Sequence, residues 1–172
     1  PEAESIVEHM YTAWLFGMLN LPQTDDYHND YSKDRVLQML LIHDLGETIT
    51  GDIPKPEKIG NPVYDNNEDD VMRKFFLKGT YPGMTNLMEY YSLWEEWYEQ
   101  ETYNSKIAKD LDTLQAMYQF CVYYLKYPDK FSKEKKDSWL AECNDLKTEI
   151  GFSLYETLIR NNTLFKEIFI SR

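Results

Sequence analysis

The stretch SKDRVLQMLLIHDLGETITGDIPKP, residues 32–56, decides how this chain is read. Ser32 offers a side-chain oxygen to the first unpaired N–H groups of a helix. The residues that follow, Val36 to Ile42, are apolar nearly all round, which suits a helix at the centre of a domain. That helix then runs straight into His43 and Asp44, sets Glu47 three residues later, and breaks at Gly51-Asp52-Ile53-Pro54. Core helices usually end on a cap and a turn. Ionisable groups packed this closely mark either an ordinary polar helix end or a metal site with a catalytic acid beside it.

The rest of the chain is helical in period. Ile6, Val7, Met10, Ala13, Trp14, Gly17 and Met18 recur at spacings of three and four and predict a first helix. A polar break covers 20–32, and Ser32 opens the second helix. Residues 51–67, rich in Pro, Gly and Asn, read as a loop. Further helices are expected at 68–79, 86–102, 105–126, 137–150 and 153–169, punctuated by Tyr-Pro-Gly at 81–83 and Tyr-Pro-Asp at 127–129. There is no alternating strand pattern, internal repeat or low-complexity segment. The expectation is an all-α single domain over 1–172, a bundle of about six to seven helices.

Composition narrows the function classes. The 172 residues are 42% hydrophobic and 15% aromatic, a globular composition able to bury a core. The net charge of −12 and the lack of a basic face argue against a nucleic-acid polymer as partner. An anionic small molecule stays open, provided a local cation offsets the acidic field. Two cysteines, Cys121 and Cys143, form no disulfide framework, and no apolar run is long enough to span a membrane. A cytoplasmic protein is expected. The sequence starts at Pro1 without Met, so a preceding segment is expected.

His43 and Asp44 point about 100° apart on a helix, so both reach one point only in a groove between helices. An imidazole nitrogen with a carboxylate oxygen suits Zn, Mn, Co or Fe, and Glu47 shares their face. Taken alone, a His-Asp dipeptide reads more readily as a hydrogen-bonded core histidine. His9 shifts that balance. It lies on the shoulder of the first helix's apolar face, and a buried imidazole needs a partner at each nitrogen. His28, in the polar loop, reads as solvated. In SKIAKDLDTLQAMYQF, residues 105–120, Asp110 and Asp112 enter an apolar helix, and a core-facing acid needs a partner. Periodicity leaves the two open, with a slight lean to Asp110.

The His in ESIVEH, the His-Asp pair ending an apolar helix and the later Asp in KDLDTL resemble the HD-domain metal-dependent phosphohydrolases. HDLGETITGDIPKP and LWEEWYEQETYNSKIAKDLDTLQ are similar in detail to the 5′-deoxynucleotidase branch, with residues 2–120 in register. The resemblance implies an HD-domain fold and one divalent ion (Co, Mn, Zn, Mg or Fe) on His9, His43, Asp44 and Asp112, against the lean to Asp110. It implies Glu47 as the catalytic glutamate, Asp52 on the sugar, and Glu95 or Glu96 near the substrate, with Glu96 taken. The family's Arg and Trp that hold phosphate and sugar would precede His9, in a segment outside this sequence. The implied reaction is hydrolysis of (deoxy)nucleoside 5′-monophosphates to nucleoside and phosphate. The substrate is then a small nucleotide, with no membrane partner and with room for a homodimer. Phosphatase action on another small phosphoester is the nearest rival. A non-catalytic metal-stabilised module fits less well, because it needs neither Glu47 nor Asp52. A binuclear phosphodiesterase would need further histidines.

Overall fold

Ser5 and Ser32 each turn a hydroxyl back onto the helix they open, and these two caps set the elements that carry the histidines. The computed structural model describes residues 4–51, 62–77 and 87–169. Helix α1, Ile6–Asn20, begins with a reciprocal capping box between Ser5 and Glu8. Helix α2, Lys33–Ile42, begins where Ser32 Oγ accepts from the Arg35 N–H at 3.3 Å. The Ser32 N–H in turn donates to Asn104 Oδ1 at 2.8 Å, which ties the start of α2 to the start of the longest helix. Short α3, Glu47–Thr50, follows α2 after one turn and ends at Gly51, whose φ of 84° is a left-handed conformation that glycine tolerates.

Helices α4, Pro62–Leu77, and α5, Leu87–Glu99, pack on each other, and α5 also packs on α2. Helix α6, Tyr103–Lys126, is capped by Thr102, whose Oγ1 accepts from the Ser105 N–H at 3.1 Å. Then come α7, Lys133–Cys143, α8, Glu149–Leu154, a π-helical turn at Tyr155–Arg160, and α9, Thr163–Phe169. Among the described residues there is no strand, in keeping with the all-α expectation, and no helix is long and apolar enough to cross a membrane.

Three boundaries differ from the sequence reading. The expected loop over 51–67 is helical from Pro62 onward, because proline lacks only an N–H that a first helical residue leaves unpaired anyway. Residues 52–61 and the Tyr-Pro-Gly turn at 81–83 lie outside the described residues. The expected helix over 137–150 is instead two, α7 and α8, broken where Thr148 caps the second with Oγ1 accepting from the Gly151 N–H at 3.0 Å. The last expected helix is likewise divided, by the π turn.

Helix α2 is the hub. Val36, Met39 and Leu40 are fully buried, and the helix packs on α1, α5 and α6. The long α6 runs through both apolar clusters: Ile107, Ala108 and Leu111 belong to the one around α2, and Leu114, Met117, Phe120 and Cys121 to the one with α7 and α9.

Asp110 faces away from α2. Its Oδ1 accepts the Lys147 N–H at 2.8 Å, and its Oδ2 accepts the Thr148 N–H at 2.9 Å and the Thr148 hydroxyl at 2.6 Å. The carboxylate therefore anchors the start of α8, where the helix's positive end favours it. A Cβ at Gly151 would fall 2.3 Å from Asp110 Oδ2, so only glycine lets α8 come this close. Asp110→Ala should lower unfolding stability by roughly 2–4 kcal/mol, since it strands buried donors. Denaturant unfolding checks this, and metal content should be unchanged.

Candidate metal centre

Two imidazoles meet where the end of α2 crosses the first turns of α1. His43 is the C-terminal cap of α2, with its N–H donating to Met39 O at 2.9 Å, and its side chain is fully buried. Its Nδ1 lies 3.0 Å from Leu40 O. A carbonyl only accepts, so Nδ1 carries a proton and Nε2 is the nitrogen left to face the cluster. His9 is arranged likewise. Its Nδ1 lies 2.6 Å from Gln115 Oε1, and Gln115 is oriented by donating from Nε2 to Thr12 Oγ1 at 2.8 Å.

The two Nε2 atoms then face each other at 3.3 Å. Around them stand two carboxylates. Asp44 Oδ2 is 3.2 Å from His43 Nε2 and 3.5 Å from His9 Nε2. Asp112 Oδ1 is 2.9 Å from His9 Nε2 and 3.6 Å from His43 Nε2. Ligand atoms of His9, His43 and Asp44 lie within 4.8 Å of one another, close enough to hold one metal ion. Two Nε2 atoms opposed between two carboxylates favour positive charge at their centre, and the N₂O₂ donor set fits one divalent ion.

The electrostatics say the same from the other side. Burial opposes a charge on His43, but Asp44 and Asp112 outweigh it and push its pKa up to about 10. Burial would raise the Asp112 carboxyl, yet the Lys109 ammonium and the two imidazoles hold it well below the usual carboxylate range. This is a site built to gather positive charge.

The sequence-derived residues fall as follows. His9, His43, Asp44 and Asp112 come together; Asp110 does not. Glu47 opens α3 with its N–H on Asp44 O at 3.0 Å, one turn past the His-Asp pair, and is only 8% exposed. Asp52 lies outside the described residues. Glu96 has both oxygens engaged within the protein: Oε2 accepts from Arg35 Nε at 2.6 Å and Oε1 from Thr102 Oγ1 at 2.6 Å. The expected acid near a substrate thus makes the contacts of a tie between α2 and the α5–α6 junction. His28 stacks on Tyr103 at 3.6 Å, nine residues or about 13 Å along α6 from Asp112.

A sequence profile of the HD domain matches residues 1–150. The chain belongs to the HD-domain family. The mouse protein named 5′-deoxynucleotidase HDDC2 is 30% identical to it over 126 residues, covering 70% of this chain and 56% of its own length. The chain spans about half the length of this and the other vertebrate HDDC2 relatives it matches. Among solved structures, a conserved hypothetical protein from Pyrococcus furiosus superposes with a TM-score of 0.65 at 24% identity, covering 98% of this chain and 84% of its own. A structure from Magnetospirillum magnetotacticum, titled a predicted metal-dependent phosphohydrolase, gives 0.63 at 23% identity, with 94% and 76% covered. At these identities the two structures establish the shared HD fold.

In this HD domain, three neighbours of the ligand set were not singled out by the sequence. Gln115 orients His9, Lys109 Nζ sits 2.7 Å from Asp112 Oδ2, and the Trp97 ring packs on His43 with centroids 4.6 Å apart. The signal for two of them is the spacing 109–112–115, which puts three polar residues on one side of the helix. Gln115→Leu should keep the fold but weaken divalent-metal affinity by about 10–100-fold, the usual effect of removing a partner that orients a histidine. Competition against a fluorescent chelator measures it.

Proposed function

We propose that this chain hydrolyses the phosphomonoester of (deoxy)nucleoside 5′-monophosphates, with one divalent ion on His9, His43, Asp44 and Asp112. The observation that carries this reading is the pair of opposed Nε2 atoms set between the Asp44 and Asp112 carboxylates. The similarity to the HDDC2 5′-deoxynucleotidases supports the substrate class.

When bound, the ion supplies Lewis acidity toward the phosphoryl group and lowers the pKa of water. The chain's own residues supply the rest. Gln115 and Leu40 O keep both imidazoles in the tautomer that presents Nε2. Glu47 accepts a hydrogen bond from the attacking water and takes its proton as the water oxygen bonds to phosphorus; the P–O5′ bond breaks, and that proton passes on to O5′ to release the nucleoside. Asp52 accepts from the sugar 3′-hydroxyl. One ion per chain is favoured over a binuclear phosphodiesterase site, because His28 is held on Tyr103 away from the cluster. Two unpaired buried cysteines suit a reducing, cytoplasmic setting.

Phosphate release from a panel of ribo- and deoxynucleoside 5′-monophosphates with several divalent metals tests the reading. Release from none of them would retire it in favour of another small phosphoester. Glu47→Ala should keep its metal and lose about a hundredfold or more in kcat. Loss of metal in that variant would make Glu47 a ligand, and full kcat would remove it from the chemistry. Asp52→Ala should lower kcat/KM on deoxynucleotides by roughly tenfold to a hundredfold, as for one charge-assisted hydrogen bond. An aryl phosphate without a sugar should be much less affected; equal losses on both substrates would mean that Asp52 only shapes its turn.

A further inference from the structure

Apart from the Arg that the family resemblance places ahead of His9, the charge of the ligand set leaves room for a cation from the described helices. Two neutral imidazoles, two carboxylates and a divalent ion sum to zero, whereas a phosphate monoester brings close to two negative charges at neutral pH. The chain as a whole carries a net charge of −12, so its long-range field repels such a ligand. Holding a phosphoryl group here calls for a cation within reach of the ligand set.

The structure sets Lys109 in that place. Its Nζ lies 2.7 Å from Asp112 Oδ2, while Asp112 Oδ1 faces the imidazoles, so one carboxylate joins the ammonium to the ligand cluster. The ammonium also stands over Trp97, 4.8 Å from the ring centroid, and the same ring packs on His43. This fixes Lys109 from two sides and directs it along the cluster. An ammonium has three donors. Asp112 takes one, the Trp97 face offers no oxygen, and the Lys109 side chain is 30% exposed, so it stays open to a ligand arriving from solvent.

We propose that Lys109 is a further phosphate-contacting cation of this site, donating an N–H to a non-bridging phosphoryl oxygen while it remains tethered to Asp112 Oδ2. This rests on the phosphomonoesterase reading above. The competing account is that the pair Lys109–Asp112, three residues apart on one helix, merely neutralises and orients a ligand.

Lys109→Gln separates the two, because it keeps a donor for Asp112 and removes the charge; Lys109→Arg keeps both. The probe is inorganic phosphate, titrated calorimetrically into metal-loaded protein, with metal content and thermal midpoint recorded alongside. The Gln variant should keep its ion and its midpoint while phosphate affinity falls about tenfold or more, as for a lost charge-assisted contact. The Arg variant should stay within a few-fold of the parent. Wild-type phosphate affinity in the Gln variant would overturn the proposal, and so would loss of the metal from both variants, which would make Lys109 a holder of Asp112 only. The nucleotide reading fails separately. If the parent binds phosphate and the Gln variant does not, yet no nucleotide is hydrolysed, Lys109 stands and the substrate class falls.

Discussion

His43 is a fully buried imidazole at the end of a helix whose other buried residues are apolar, and neither nitrogen can be left without a partner there. One nitrogen is satisfied locally, by the carbonyl of Leu40 three residues back. The other has to be satisfied across the interface, and everything near it follows. Helix α1 must present His9 at that height, α6 must present Asp112, and the chain must turn after Ile42 so that Asp44 can come round. The packing of α1, α2 and α6 is therefore also the assembly of the cluster. Because Val36, Met39 and Leu40 lock α2 against its neighbours, His9 and Asp112 stand on packed helices, His43 caps one, and Asp44 sits in the short turn that follows.

Helix α6 serves two masters, and a two-residue step divides them. Asp110 and Asp112 point about 200° apart around the helix axis. The first binds the start of α8 through two backbone N–H groups and the Thr148 hydroxyl. The second faces the histidines and Lys109. Both are carboxylates buried with dedicated donors, which is why the same pattern in sequence could not tell them apart. One holds the C-terminal part of the domain onto the long helix; the other holds charge at the site. The two roles share a backbone, so a shift of α6 that loosened α8 would also move Asp112.

Helical class, the central position of α2, the N-cap at Ser32 and the half-buried place of His9 were legible in the sequence, because each is a local or periodic property. Pro62 was not, since proline reads as a breaker until its position as first helical residue is known. Nor was the break before α8, where Thr148 caps a new helix on the strength of Asp110, a contact 38 residues distant in sequence. The family resemblance implies an acid near the substrate at Glu96, and the structure shows Arg35, 61 residues away, and Thr102 on its two oxygens.

By itself the sequence determined an all-α chain, an apolar helix ending in His43-Asp44, and a glutamate one turn further on, since these depend on spacing along a single helix. Its resemblance to HD-domain proteins added which acids to look for. Only the tertiary structure decided which nitrogen each histidine presents, because the tautomer is set by Gln115 and by Leu40 O. It alone brought Lys109 and Trp97 against the cluster, because that proximity depends on how α5 and α6 cross. A hydrogen bond to the far side of a ring carries no periodicity, and a cation's distance from a carboxylate is fixed by packing and not by order along the chain.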